Sequence, residues 1–394
     1  MIINRKIIWL AILLSLFILS SASSAETEED LMNKNILEEQ LESLNIKELE
    51  YILEDIINTS SEYYRDINVR DILFSILKGK NILDFKGFAK IAIKTVVNEL
   101  LNNLTLISQI VIIAVACSIL SNLQNSFEKD SISQLANYVC YIVLSMMIIN
   151  SFTLALELGK GTVTKMVDFM QVILPILLTL LTAIGSPGTK ILFNPVVLGT
   201  VNIIGTLVKN VVFPLIFFTF IVGIISRISN KAQFNKISEL MREIVVVILG
   251  ASFTVFIGII SIYEIGSNID GIAVQTAKFA VDSFVPIIGK FLSDAVEVVV
   301  GGSAILKNGL GMMGLVALVL ICLIPAVRIL ILIFVYKLVA ALIQPITSDG
   351  VLGYFDDISK SLVLILVGIL SIAIMFFITI SVVVEAGNVA LMLR

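Results

Sequence analysis

Hydrophobic positions dominate this chain in long uninterrupted runs, and the polar positions between them fall in short clusters. Nine runs are apolar enough to be candidate membrane spans: Leu104–Ser121, Leu135–Leu156, Phe169–Ile184, Ile191–Val208, Val211–Ser226, Ile244–Tyr263, Leu310–Val327, Ile329–Ile343 and Ser361–Val384. Several are at or below the length that crosses a hydrocarbon core of about 30 Å. Seven to nine crossings is the range they allow. Before them, Leu37, Leu41 and Leu44, then Leu49, Ile52, Leu53 and Ile56, recur at helical spacing. Asn45 with Glu48 has the form of an N-cap and its reciprocal acid, so two short helices meet there.

One stretch breaks the pattern. Gly271–Gly309 is too polar for a clean span and too apolar for an ordinary loop. Lys278 and Asp282, and again Lys290 and Asp294, stand four apart on one helical face. Pro286 and the pair Gly301 and Gly302 are expected to break the segment into short helices. Broken, semi-polar helices survive at membrane depth only where protein or a watery cavity covers them. These four charged residues are therefore candidates for a polar lining or a partner contact, with a merely solvated face as the alternative.

Composition supports the membrane reading. Of 394 residues 58% are hydrophobic and 15% charged, so much apolar surface must face lipid. The fold class expected is all-α: a polytopic α-helical integral membrane protein with one broken or re-entrant amphipathic segment, residues 264–309. Residues 104–394 form its membrane domain. Residues 1–25 have the form of a signal peptide, with Arg5 and Lys6 ahead of apolar Ile7–Leu19 and small residues at Ser23, Ser24 and Ala25. An uncleaved anchor is the alternative. Residues 26–103 then form a small helical extracytoplasmic region, acidic in its first part and ending in an amphipathic helix. Its Lys86, Lys90 and Lys94 suit anionic lipid headgroups or a solvated face equally.

Charge placement suggests a topology. Arg227, Lys231, Lys236 and Arg242 mark a cytoplasmic loop. From an exported N-terminus that requires a hairpin at Lys209-Asn210. The same alternation puts Asp349, Asp356 and Asp357 outside and the C-terminus inside, with nine crossings in all.

Chemistry is scarce. The chain has no histidine, which removes His-based metal sites and Ser-His or Cys-His pairs. Cys117, Cys140 and Cys322 form no CxxC and read as buried apolar residues. No phosphate-binding G-x-x-x-x-G-K-[ST] occurs, and no basic surface suits nucleic acid. No catalytic residue, metal or cofactor is expected. Lys209, Arg328 and Lys337 are charges embedded in apolar runs, which makes each a site candidate unless it marks a turn or snorkels. Pro175 and Pro214 are 39 apart, as are Pro286 and Pro325, an echo of the repeated broken helices of carriers. A self-sufficient small-molecule permease is the alternative function this supports.

Gln275–Asn308 followed by Ile321–Asp349, together with LPILLTLLTAIGS (Leu174–Ser186), NPVV (Asn194–Val197) and TLVKNVVFPLIF (Thr206–Phe217), resembles the stage III sporulation protein AE family. The similarity runs from about Leu104 to the C-terminus. It implies a non-enzymatic component of a channel or secretion-like complex between mother cell and forespore, needed for late forespore development. It further implies a place in the mother-cell membrane around the forespore. The implied partners are other proteins of the same operon, including a secretion-type ATPase and ring-forming proteins, and a forespore-side partner.

Overall fold

The computed structural model describes residue 51 and residues 96–101, 104–126, 131–184, 187–228, 234–284, 288–345 and 349–392; in residues 263–284 and 288–300 it describes the helical path alone. The expected signal peptide, the capped helix pair near Asn45 and nearly all of the 26–103 region lie outside the described residues, as does Pro286. Among the described residues the chain is helical throughout its elements: α1 (Leu104–Ser126), α2 (Ser131–Ala183), α3 (Pro187–Leu207), a π-turn (Val208–Val212), α4 (Phe213–Ile228), α5 (Asn235–Phe284), α6 (Ile288–Ile343) and α7 (Asp349–Met392). Five of the helices are long and apolar enough to cross a membrane, and Ile107–Cys117 is a shorter apolar helix.

Side-chain contacts fix how the helices alternate. Tyr141 stacks on Tyr354 with ring centroids 6.0 Å apart, and Gly159 sits against Ile365 and Ile369, so α2 and α7 run parallel. Phe152 stacks on Phe220 at 3.9 Å, while Gly205 meets Val167, so α3–α4 returns antiparallel along α2. Tyr336 lies against Phe355 at 6.3 Å and Lys307 reaches the Val384 carbonyl, making α6 antiparallel to α7. The result is an up-and-down bundle around α7, whose Tyr354, Phe355, Leu362, Ile369, Phe376 and Ile380 are all fully buried.

Several expected breaks are absent. α2 is one 53-residue helix through Pro175, and α6 is one 56-residue helix through Gly301, Gly302 and Pro325. Leu135–Leu156 and Phe169–Ile184 are therefore one helix, as are Leu310–Val327 and Ile329–Ile343. Glycine costs a helix only about 1 kcal/mol. Among apolar neighbours, leaving the helix would strand backbone N–H and C=O groups at several kcal/mol each. Only residues 285–287, around Pro286, separate α5 from α6.

The hairpin expected at Lys209-Asn210 is also absent. Leu207 and Phe213 both keep right-handed helical dihedrals, and the Phe213 N–H bonds the Val208 carbonyl across a widened turn. Pro214 explains the widening: it has no N–H, and its ring would press on the carbonyl four residues back. The helix therefore continues, and the parity of the nine-crossing scheme changes with it.

A second correction follows from one contact. Asp349, Asp356 and Asp357 open helix α7 rather than lying in a loop, and Arg242 pairs with Asp357 at 2.9 Å. Arg242 and Asp357, drawn from segments expected on opposite faces, thus share one end of the bundle. We call this the basic end. With α7 running away from it, Arg242 and the end of α7 lie at opposite ends of the bundle.

Candidate functional site

Polar groups inside this apolar bundle gather in three places. The first is the basic end. Arg242 Nη2 donates to Asp357 Oδ1, with 17% and 8% of the two side chains exposed, so the pair is nearly sealed from water. Ser238 Oγ donates to the Thr219 carbonyl at 3.0 Å, and the Phe234 N–H donates to Ser226 Oγ at 3.0 Å, tying the start of α5 to the end of α4. Gly223 of α4 faces this pair: a Cβ there would stand 3.5 Å from both Asp357 Cγ and Ser238 Oγ, an ordinary packing distance. Three helices are held in register by one ion pair and its hydroxyl neighbours.

The second place is the face shared by α2, α3 and the π-turn. Along α2 the exposed positions are apolar at Val143, Met146 and Leu154, then turn polar at Glu157, Gly161, Lys165 and Asp168. Gln171 donates across to Asn202 on α3. Exposed Lys209 projects from the π-turn, a distortion often found at functional positions. The third place is Lys307, fully buried where α6 crosses α7, its Nζ donating to the Val384 carbonyl at 2.6 Å. Gly311, packed directly on Val384, permits that close crossing.

The comparison with known families and relatives follows this geometry. The family model described as stage III sporulation protein AE matches residues 67–387. The stage III sporulation protein AE of Bacillus subtilis (strain 168) is 32% identical over 323 residues, covering 82% of this chain and 81% of the relative. This chain belongs to the stage III sporulation protein AE family. No solved structure matches it. The family match starts well before Leu104, so it takes in part of the region in front of the bundle as well as nearly all of the helical body.

In this family member the residues singled out from sequence divide clearly. Lys278 and Asp282 lie on α5, Lys290 and Asp294 on α6, and their side chains lie outside the described residues. Arg328 is half-exposed and pairs with Glu99 at 3.5 Å, which ties the helical residues 96–101 to α6. Lys337 is exposed on α6 near the basic end and Lys209 is exposed on the π-turn, so these three charges do not converge on one point. Pro175 lies within α2, Pro325 within α6 and Pro214 just after the π-turn.

The groups that sequence reasoning passed over are the buried ones. Asp357 looked like part of an acidic loop, and Lys307 like the edge of a glycine-rich connector. A signal was available for both: each falls within a hydrophobic stretch once the helix is allowed to continue. Cys117 and Cys322 are buried and form no disulfide, as their apolar settings suggested.

Proposed function

We propose that this chain is a non-enzymatic membrane platform of the channel or secretion-like complex between mother cell and forespore, required for late forespore development. The observation that carries the reading is the family match over residues 67–387, which spans all but the last few residues of the apolar bundle. The bundle is in keeping with it. Several of its polar groups join one helix to another through an ion pair and hydrogen bonds, which suits a scaffold. The partners of the proposal are the other products of the same operon, a secretion-type ATPase and ring-forming proteins among them, with a forespore-side protein across the intermembrane space. Lipid is the surrounding solvent.

The orientation belongs to the same proposal. The basic loop with Arg227, Lys231, Lys236 and Arg242 is cytoplasmic by the positive-inside rule. The 26–103 region and the far end of the bundle then face the intermembrane space. The site is the mother-cell membrane around the forespore.

Deleting the gene in its spore-forming host and measuring spore yield and late forespore reporter expression tests the role. Both should fall by orders of magnitude, and affinity capture from sporulating cells should recover the operon products. Normal sporulation, or liposomes of the purified chain that move a small solute unaided, would replace the platform with a permease or an unrelated role.

A further inference from the structure

Glu157, Gly161, Lys165, Asp168 and Gln171 form one exposed file along α2, each three or four residues from the last. Asn202, Thr206 and Lys209 form a second at the same spacing on α3 and the π-turn, and Gln171 donates to Asn202, which sets the two side by side. Both lie at the depth of bare apolar surface elsewhere on the bundle. Depth can be counted from the Arg242–Asp357 pair at about 1.5 Å per helical residue. On α5, exposed Ile244, Val247, Val255 and Ile262 cover from about 3 to about 30 Å beyond the pair, close to one hydrocarbon thickness. Gly223 of α4 stands level with Asp357, and Phe220 stacks on Phe152 of α2. Counting on along α2, Glu157 lies about 12 Å and Asp168 about 28 Å beyond the pair, with Lys209 at about 21 Å.

We propose that the two files line a water-filled groove, open at the far end of the bundle and blind toward the basic end. Glu157 with Lys160, and Lys165 with Asp168, stand three apart on one helix, so opposite charges are neighbours within this chain. That proximity does not fit them for lipid, because an exposed ion pair set against hydrocarbon still loses its hydration. Water is what the files require, and polar residues at this depth are tolerated where they line a watery cavity. Gly161 leaves room for it: a Cβ built there meets nothing within 4 Å. Toward the basic end the α2 file turns apolar at Leu154, Met146 and Val143, with the neutral Asn150 among them, and the groove ends there. Water thus enters level with Asp168 and reaches Glu157, past the middle of the apolar belt, leaving about 12 Å as the barrier. With carboxylates and ammonium groups interleaved along its wall, the groove admits small hydrated solutes and selects for neither sign. The inference rests on the membrane reading of the bundle and is independent of the role in sporulation.

The test is labelling of single cysteines by a membrane-impermeant maleimide, in the full chain with its three native cysteines replaced by alanine. Intact cells and inverted membrane vesicles present the two sides separately. Gly161→Cys and Asp168→Cys should react at least tenfold faster than Val255→Cys, which lies at the depth of Gly161 on α5. They should react from the side opposite to the one that reaches Phe234→Cys at the basic end. Gly161→Trp should slow labelling of Glu157→Cys severalfold and leave Asp168→Cys, nearer the mouth, unchanged. Equal rates at positions 161 and 255, a disulfide between copies at 161 in place of labelling, or labelling of Glu157→Cys from the basic side would each overturn the groove. Fast labelling at Val255→Cys would overturn the membrane reading beneath it, whatever the sporulation phenotype of the deletion.

Discussion

Breaking the Arg242–Asp357 pair is the sharpest perturbation this fold offers. The two groups sit 2.9 Å apart, and Asp357 keeps 8% of its side-chain exposure against 17% for Arg242. Removing one member of such a pair leaves an uncompensated charge and costs about 3–5 kcal/mol. The two single variants should differ. Arg242→Ala removes the guanidinium from the more deeply buried carboxylate, on the central helix, and falls at the upper end of that range. Asp357→Ala leaves a guanidinium on a long stem near the bundle end that can swing toward water, so about 1–3 kcal/mol is expected. The double variant Arg242→Leu with Asp357→Leu removes both charges and should lie within about 1 kcal/mol of the original chain, since apolar replacement of a buried pair is often neutral. Reversible unfolding in mixed micelles by denaturing-detergent titration, run as a double-mutant cycle, measures all four species. A coupling energy of at least about 2 kcal/mol is expected. Strictly additive single effects, or a double variant as unstable as the sum, would show that the pair does not hold α5 to α7.

Three further outcomes follow from the same packing. A side chain at Gly311 would run into Val384, so Gly311→Ala should cost about 1–3 kcal/mol in the same titration, and Val384→Ala in that background should recover most of it. Lys307→Met keeps the bulk but removes the donor to the Val384 carbonyl, costing about 1–3 kcal/mol, whereas Lys307→Glu sets a carboxylate against that carbonyl and should abolish accumulation in membranes by immunoblot. Cysteines at Phe234 and Gln344, at the two connections of the basic end, should share one labelling pattern with impermeant maleimide in intact cells; opposite patterns would return the chain to the nine-crossing topology.

The all-helical class of the fold and its long apolar helices were legible because they rest on long hydrophobic runs, which tertiary contacts do not rewrite. Helix boundaries were not, because the rules used to find them assume water. Gly301, Gly302 and Pro175 would end a helix beside solvent, where the freed backbone groups find partners. Inside a bundle they find none, so the ladder continues and the local cost is absorbed. Pro214 is the informative middle case. The strain it imposes is real and widens one turn, but the chain keeps its direction. Every such continuation merges two expected spans and changes the side assigned to all that follows.

The same reasoning explains which charges were misjudged. Lys209, Arg328 and Lys337 stand out because they interrupt the runs as drawn, yet all three reach the surface. Asp357 and Lys307 were hidden at the edges of those runs, and they are the groups that fold inward to partners on other helices. A charge kept inside an apolar bundle must be satisfied by a specific neighbour, so it fixes helix register in a way that interchangeable leucine contacts cannot. A chain that spends its interior charges on register is built to hold a shape.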